Sequence, residues 1–351
     1  MEPPRLLKTI WLRVRPAPDH GGRPGTPPAT GVGADGGALS ALSRLVYRAP
    51  LSRTRRREQR AAYLFLSPWL LGLLAFWIVP IVASLLLSFT DWSLIFKPHW
   101  VGASNYRSMA SDQDFWHSIR VTIKYIVLSV PLYMITGLLL SLVLNLKMRG
   151  MNVFRTFLFI PSVLSGVAVA ILWVSLLNPD VGPVNQILRA IGIGHPPRWL
   201  QDPAWAIPSV VLMGLWGIGG GAIIYLAGLQ NIAVQLYEAA SLDGAGPWQR
   251  FRYVTFPMLT PTLLFVLLTG LISAFQVFDT AYVLSGSQGA SGTSLNFYLL
   301  NMWTEAFTNQ RFGYASALAW VMIILAAVVI LTIFRTASRW VYYEYDPEKE
   351  Q

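Results

Sequence analysis

The sequence predicts an all-α, polytopic membrane protein with six transmembrane helices. Hydrophobic residues make up 54% of the 351 residues and charged residues only 13%, whereas about a quarter of a typical soluble domain is charged. Six apolar segments are each close to the roughly 20 residues that a spanning helix needs. These segments lie at 63–90, 119–145, 153–177, 205–229, 257–284 and 312–336.

We divide the chain into a basic N-terminal extension at 1–60, a membrane domain at 61–340 and a short tail at 341–351. Pro, Gly, Ala and Thr dominate the stretch from Pro16 to Gly37, a composition that cannot bury enough apolar surface to fold and therefore predicts disorder. The preceding residues also allow a short amphipathic helix on anionic lipid, but composition favours disorder. The first long apolar stretch begins too late for a secretory signal.

The first two spans contain prolines, namely Pro68, Pro80 and Pro131. Membrane helices tolerate proline when neighbouring helices satisfy the freed carbonyl groups, so we expect these spans to pack together.

The basic residues predict the orientation. If the N-terminus is cytoplasmic, 20 of the 27 Lys and Arg residues lie on the cytoplasmic side and 7 on the other. Cytoplasmic loops carry an excess of Lys and Arg, so we expect both termini inside. The net charge of +10 is thereby explained by membrane topology, and nucleic acid is not expected as a partner.

A water-compatible segment, Glu238 to Pro257, separates the fourth and fifth spans. Gly244 permits the backbone angles that end a helix, and Pro247 suits the first turn of the next one. Small alanines nearby permit close approach of another protein. The segment therefore predicts a helix, a turn and a second helix, although an ordinary polar loop is the plainer alternative.

This segment resembles the cytoplasmic coupling loop of permease subunits in binding-protein-dependent ABC importers. The matching residues are Glu238, Ala239, Ala240, Asp243, Gly244, Ala245, Phe256 and Pro257. Segments from Tyr63 to Arg339 are similar to the carbohydrate-uptake branch of this family, which includes maltose and glycerol-3-phosphate permeases. The external loop at 285–290 departs from the pattern of that branch.

The resemblance implies a non-catalytic subunit of a bacterial or archaeal plasma membrane, in which the loop becomes a cytoplasmic coupling-helix loop. Its implied partners are a second homologous permease subunit, ABC ATPase subunits, an extracytoplasmic solute-binding protein and the lipid bilayer. ATP and Mg would bind the partner ATPase, and this chain would hold no cofactor. Glu238 is expected near basic residues of the ATPase, and Asp243 is expected to cap the helix that follows it.

Catalytic and metal sites are not expected. The sequence has no Gly-Lys pair and hence no P-loop for nucleotide phosphates, and it has no cysteine. The four histidines are scattered outside the predicted spans rather than clustered with ligand spacing. They are His20, His99, His117 and His195.

The fifth span predicts a substrate path because it mixes aromatic faces with hydrogen-bonding groups, which suits a sugar-like solute. Gln276 and Asp279 are three residues apart and should share one helix face. Polar groups inside a membrane are costly and are functional candidates by default, although the aromatics also suit simple packing. The candidates are Trp216, Phe275, Gln276, Phe278, Asp279 and Tyr282.

Two other classes stay open at this stage. An ion-coupled secondary transporter would show internal repeats with matched acids or broken helices. A membrane-embedded enzyme would need convergent nucleophile, acid or metal groups. Neither pattern is evident in the sequence, which favours the ATP-driven importer.

Overall fold

A computed structural model describes residues 53–93, 95–146, 148–286 and 292–342. The predicted disordered stretch, the alternative lipid-bound helix and most of the tail lie outside these ranges. Residues Gly72–Gln351 form one compact unit that contains every site discussed below. Of the other unit, Met1–Leu71, the structure describes a helix that begins at Arg53, inside the predicted N-terminal extension.

Helices account for nearly all regular structure in the described ranges, and Thr90 and Trp100 form an isolated β-bridge. The helices are α1 (Arg53–Leu73), α2 (Val79–Leu87), α3 (Ser104–Ser111), α4 (Gln113–Leu144), α5 (Met151–Val163), α6 (Gly166–Leu176), α7 (Pro183–Ala190), α8 (Pro203–Trp216), α9 (Gly219–Gln230), α10 (Val234–Leu242), α11 (Pro247–Arg250), α12 (Phe256–Phe275), α13 (Asp279–Gly286), α14 (Tyr298–Trp303) and α15 (Phe312–Ala337). Single π-helical turns join α1 to α2 and α11 to α12.

Four helical segments of the described ranges are long and apolar enough to cross a membrane: Ala61–Leu87, Gln113–Leu144, Pro247–Gly286 and Phe312–Ala337. Two bent helix pairs raise the number to six if each pair is one span. Many large apolar side chains on these helices are exposed, as lipid-facing side chains would be. The all-α, polytopic membrane fold is confirmed.

The third and fourth predicted spans are not straight helices. α5 and α6 meet at a bend of 95°, where Leu164 and Ser165 adopt extended backbone angles. α8 and α9 meet at a bend of 55° at Gly217 and Ile218. Glycine has poor helix propensity, and Gly217 is followed by three more glycines at 219–221, which explains the second bend.

Small residues bring the helices of the core into close contact, and α4 packs against α8, α9, α12 and α14. A β-carbon on Gly137 in α4 would lie 3.1 Å from the ring of Tyr225 in α9, so the two helices approach closely there. Gly219 at the start of α9 lies against the main-chain carbonyl of Leu158 in α5. Such close approach is typical of helix contacts in membranes, where packing rather than water exclusion holds helices together.

Candidate functional site: a cavity where three helices are broken

Three helix breaks meet around one cavity of about 440 Å³. The breaks are the α5–α6 bend, the α8–α9 bend and the non-helical residues between α12 and α13, and α4 contributes one more wall. The cavity is lined by Tyr125, Pro161, Ser162, Gly166, Val169, Val210, Met213, Gly214, Trp216, Gly217, Gln276, Val277, Phe278, Asp279 and Thr280.

The broken backbone explains why polar groups collect here. Non-helical backbone at membrane depth has unpaired N–H and C=O groups, which are tolerated only where they are buried in protein or face a water-filled cavity. α6 begins at Gly166 and α13 begins at Asp279, so the N-terminal ends of two helices lie at the cavity wall. Discontinuous helices form the solute sites of many transporters for this reason.

Asp279 is the acidic group of the cavity wall. It is exposed and lies in the first turn of α13. A β-carbon placed on Gly166 would lie 3.5 Å from its Oδ2 atom, so the carboxylate also lies against the N-terminal end of α6. Helix dipoles favour negative charge at both positions. The carboxylate therefore lies beside two helix N-termini and is accessible from the cavity.

The prediction that Gln276 and Asp279 share one helix face is wrong. α12 ends at Phe275, and Gln276 is its C-cap, with its backbone N–H donating to the carbonyls of Ile272 and Ser273 at 3.2 Å each. Residues 276–278 are not helical, and Val277 and Phe278 are half-buried and pack against the main hydrophobic core, a tertiary contact that can override the helical periodicity of the sequence. Both polar residues nevertheless line the same cavity.

The structure brings four of the six predicted path residues to this cavity and leaves two elsewhere. Trp216, Gln276, Phe278 and Asp279 line it, whereas Phe275 and Tyr282 do not.

Tyr282 contributes to an aromatic cluster instead. Its ring stacks on Phe278 at 5.5 Å and meets the edge of Trp303 at 4.7 Å between ring centroids. The ring of Phe278 also packs against Trp303. Phe278 therefore belongs to this aromatic cluster and lines the cavity as well.

A second cavity of about 430 Å³ shares Tyr125, Gly214, Gly217 and Val277 with the first. Its other polar lining residues are Ser129, Tyr133, Tyr225, Thr269 and Ser273. Sequence reasoning missed Tyr125 and its neighbours in α4, because their spacing in an apolar helix is also that of ordinary packing. The run of glycines after Trp216 was the sequence signal that could have located the break.

The segment between the fourth and fifth spans has the predicted helix-turn-helix shape. α10 ends at Leu242, Gly244 has a φ of +74°, and α11 begins at Pro247. Leu242 and Trp248 are 90% and 72% exposed. Glu238 and Ala239 are exposed, and Ala240 and Ala245 are half-buried. Pro257 lies in the first turn of α12 beside the exposed Phe256. The coupling role of this segment stays a prediction.

Asp243 does not cap the helix that follows it. It is the C-cap of α10, with its backbone N–H donating to the carbonyls of Ala239 and Ser241. The N-cap of α11 is Gly246, whose backbone N–H donates to Gln249 Oε1 at 2.7 Å. The turn at Gly244 lies between Asp243 and the start of α11, so Asp243 does not occupy the N-cap position of α11.

No group of three or more His, Asp or Glu side chains that could hold a metal ion occurs in the part of the chain that the structure describes. His99 Nδ1 lies 3.6 Å from Asp91 Oδ2, and both side chains are exposed.

Comparison with known proteins gives a consistent picture. Residues 129–342 match the family described as "Binding-protein-dependent transport system inner membrane component". The chain is 39% identical over 299 residues to the probable ABC transporter permease protein YesP of Bacillus subtilis, covering 85% of this chain and 96% of YesP. It is 36% identical over 293 residues to the lactose transport system permease protein LacF of Rhizobium radiobacter, covering 82% of this chain and 97% of LacF.

A solved structure is also similar. It is a chain of a bacterial ABC transporter involved in the import of the acidic polysaccharide alginate, with a TM-score of 0.73 and 26% identity. The match covers 82% of this chain and 99% of that one. Family match, relatives and fold agree, and the chain belongs to the inner membrane permease components of binding-protein-dependent transport systems.

Proposed function

We propose that this chain forms half of the translocation path for a sugar-like solute in an ATP-driven importer. The observation that carries the proposal is the cavity at the three helix breaks. Trp216 and Phe278 offer it aromatic faces, and Gln276 and Asp279 offer hydrogen-bonding groups. A sugar has apolar C–H faces and a rim of hydroxyl groups, so it can use both kinds of contact at once.

The names of the relatives support a carbohydrate as the transported solute. LacF is a lactose permease by name, and the similar solved structure belongs to an alginate importer. The lining of the cavity agrees with a largely uncharged solute, since its described residues include Asp279 and no Lys or Arg. In the half of the path that this chain would line, an anionic solute would meet that carboxylate without a compensating positive charge.

The helix-turn-helix segment supports a docking role toward an ATPase. Leu242 and Trp248 expose large apolar surfaces on either side of the Gly244 turn, and Glu238 lies on the same short helix as Leu242. Large exposed apolar groups beside polar ones are typical of protein-binding surfaces. The partner ATPase would bind ATP and Mg, and its closure would bias the permease toward one opening, because a partner shifts only states that it contacts differently.

The complete transporter would contain this chain, a second similar permease subunit, ATPase subunits and an external solute-binding protein. The distribution of basic residues supports a cytoplasmic location for the helix-turn-helix segment and for both termini. The family assignment favours this assembly over an ion-coupled secondary transporter or a membrane-embedded enzyme.

The test is uptake by the assembled transporter after Asp279→Ala. Uptake of its sugar should fall at least about tenfold, as expected when a charged hydrogen-bonding group is lost from a solute site. ATP hydrolysis should persist because the helix-turn-helix segment is unchanged. Asp180→Ala, at an exposed loop outside the cavity, is the matched control and should leave uptake unchanged. Normal uptake by Asp279→Ala would contradict the proposal.

A further inference from the structure

A separate polar cavity lies at the end of the bundle that carries the helix-turn-helix segment. It has a volume of about 510 Å³ and lies between the end of α4, the start of α5 and the end of α9. Gln230, the last residue of α9, lines it and is followed within four residues by α10. It shares no lining residue with the two cavities described above.

The lining of this cavity is basic. Arg149 and Arg155 contribute guanidinium groups, and Asn145, Asn152 and Gln230 contribute side-chain amides. Among the residues that the structure describes, no Asp or Glu lines it. In the described part of the chain, the ion pairs involve other residues, so neither arginine is neutralised by a carboxylate there. An uncompensated pair of positive charges around a cavity attracts an anion.

Arg155 is held in position before any ligand binds. Its Nη2 atom donates to the carbonyl oxygen of Leu144 at 2.7 Å, which satisfies one of the free carbonyls at the end of α4. Its Nη1 atom lies 3.5 Å from Asn152 Oδ1. Its Nε atom is buried without a hydrogen-bond partner among the described residues. The charge of Arg155 is therefore fixed at the cavity wall, whereas Arg149 is exposed.

The start of α5 adds to the positive potential. Its N-cap is Gly150, with a φ of +83°, and no side chain caps the helix. Met151 and Asn152 in its first turn line the cavity. The free N–H groups of a helix N-terminus favour an anion, and here they lie beside two arginines.

We propose that this cavity binds a phosphate group, carried by the headgroup of an anionic phospholipid or free in solution. Guanidinium groups form paired hydrogen bonds with phosphate oxygens, and basic cavities between membrane helices recognise anionic headgroups. The cavity rim favours the lipid as the source. Leu146 and Met148 line it and are 52% and 63% exposed, so they offer apolar contacts to acyl chains beside the polar interior.

The experiment uses the full chain in detergent, with native mass spectrometry and thermal unfolding as readouts. The probes are phosphatidylglycerol, phosphatidylcholine and inorganic phosphate. Phosphatidylglycerol should bind about tenfold more tightly than the zwitterionic lipid, as expected for charge-assisted contacts. Arg149→Gln and Arg155→Gln should each remove most of that preference. Arg339→Gln, an equal charge change after the last helix, should keep it.

Because Arg155→Gln also removes the bond to Leu144, a loss of folding there would leave Arg149→Gln as the deciding variant. Displacement of phosphatidylglycerol by inorganic phosphate would identify the phosphate group alone as the ligand. Failure of inorganic phosphate to displace it, with the arginine dependence retained, would identify the intact lipid. Equal binding of both lipids, or equal loss in Arg149→Gln and Arg339→Gln, would overturn the proposal.

Discussion

The carboxylate of Asp279 and the backbone of Gly166 are neighbours across two helix breaks. A β-carbon on Gly166 would lie 3.5 Å from Asp279 Oδ2, which is ordinary van der Waals contact, so the site has room for a methyl group, and a longer side chain there would extend into the cavity beside the carboxylate. The close approach of these two residues lets the start of α6 and the start of α13 share one cavity wall.

This contact predicts a size limit at Gly166. Gly166→Ala should transport normally, whereas Gly166→Leu should fill the cavity beside Asp279 and reduce uptake by the assembled transporter at least about tenfold, since a misplaced or excluded ligand group commonly costs that much. ATP hydrolysis by the complex and uptake of labelled solute are the two measurements. Gly72→Leu is the control, because no atom lies near a β-carbon there. Normal uptake by Gly166→Leu would argue against a solute at this wall.

Packing at Gly219 predicts a stability effect. A β-carbon on Gly219 would overlap the main-chain carbonyl of Leu158, and a backbone atom cannot rotate away as a side chain does. Gly219→Ala should lower the free energy of unfolding by about 1–3 kcal/mol, the usual cost of overpacking. Thermal unfolding of the purified chain measures it.

Gly221→Ala is the matched control, two residues later in the same helix. No atom lies within 4 Å of a β-carbon there. It should be neutral or stabilising by about 0.5–1 kcal/mol, because alanine is the better helix former. Equal unfolding temperatures for the two variants would show that the α5–α9 contact is not as close as described.

The sequence predicts the number of apolar segments and most of their limits, because length and hydropathy decide whether a helix can span a bilayer. The last span, expected at 312–336, is Phe312–Ala337. The glycines at 217 and 219–221 mark the bend between α8 and α9, but the other two helix breaks could not be predicted in the same way. Leu164 and Ser165 interrupt a segment that reads as continuous, and Val277 and Phe278 leave the helix and pack against the core. The second outcome depends on tertiary contacts.

The helix-turn-helix segment was more predictable than the cavity because its signals are local. A glycine with a φ of +74° and a proline at the start of a helix follow from the chemistry of single residues. The cavity instead combines residues from α4, α5, α6, α8 and α13 that are far apart in sequence. Tyr125 illustrates the difference, since only the fold brings it near Asp279.

We expect a change at the Gly244 turn to weaken the coupling between ATP hydrolysis and transport. Gly244→Val places a β-branched residue at a positive φ, which costs about 1–3 kcal/mol of local strain and should displace α11 relative to α10. Transport and solute-stimulated ATP hydrolysis by the assembled complex should both fall, while solute binding by the external binding protein is unchanged.

Gly246→Ala is the control for this prediction. Gly246 has a φ of −71° and a ψ of 170°, which alanine adopts without strain. Wild-type transport together with wild-type ATP hydrolysis in Gly244→Val would show that the turn geometry is not needed.

We expect the hydrogen bonds of the Glu305 carboxylate to contribute to the stability of the fold. This side chain is buried and accepts hydrogen bonds from Arg311 Nη1 at 3.0 Å and Asn309 Nδ2 at 3.1 Å. Arg311→Gln removes the charged partner of Glu305. It should lower the free energy of unfolding by about 1–3 kcal/mol, the penalty for leaving a buried polar group poorly satisfied. The double variant Arg311→Gln with Glu305→Gln should recover part of the lost free energy of unfolding, because the uncompensated buried carboxylate is gone.

Arg107→Gln, at an exposed position in α3, is the charge-matched control and should change the unfolding temperature little. Additive losses in the double variant, as measured by thermal unfolding, would show that Glu305 and Arg311 do not depend on each other.

The most direct test of the account is thiol labelling of the cavity in the assembled transporter. The chain has no cysteine, so Gln276→Cys and Asp279→Cys can be labelled without background. Phe265→Cys, at an exposed apolar position of α12 that lines neither cavity at the helix breaks, is the control. A membrane-impermeant thiol reagent should label positions 276 and 279 in at least one nucleotide state, with protection by the transported sugar, and should leave position 265 unlabelled. Absence of labelling at both cavity positions in every nucleotide state would contradict a water-filled path at the three helix breaks.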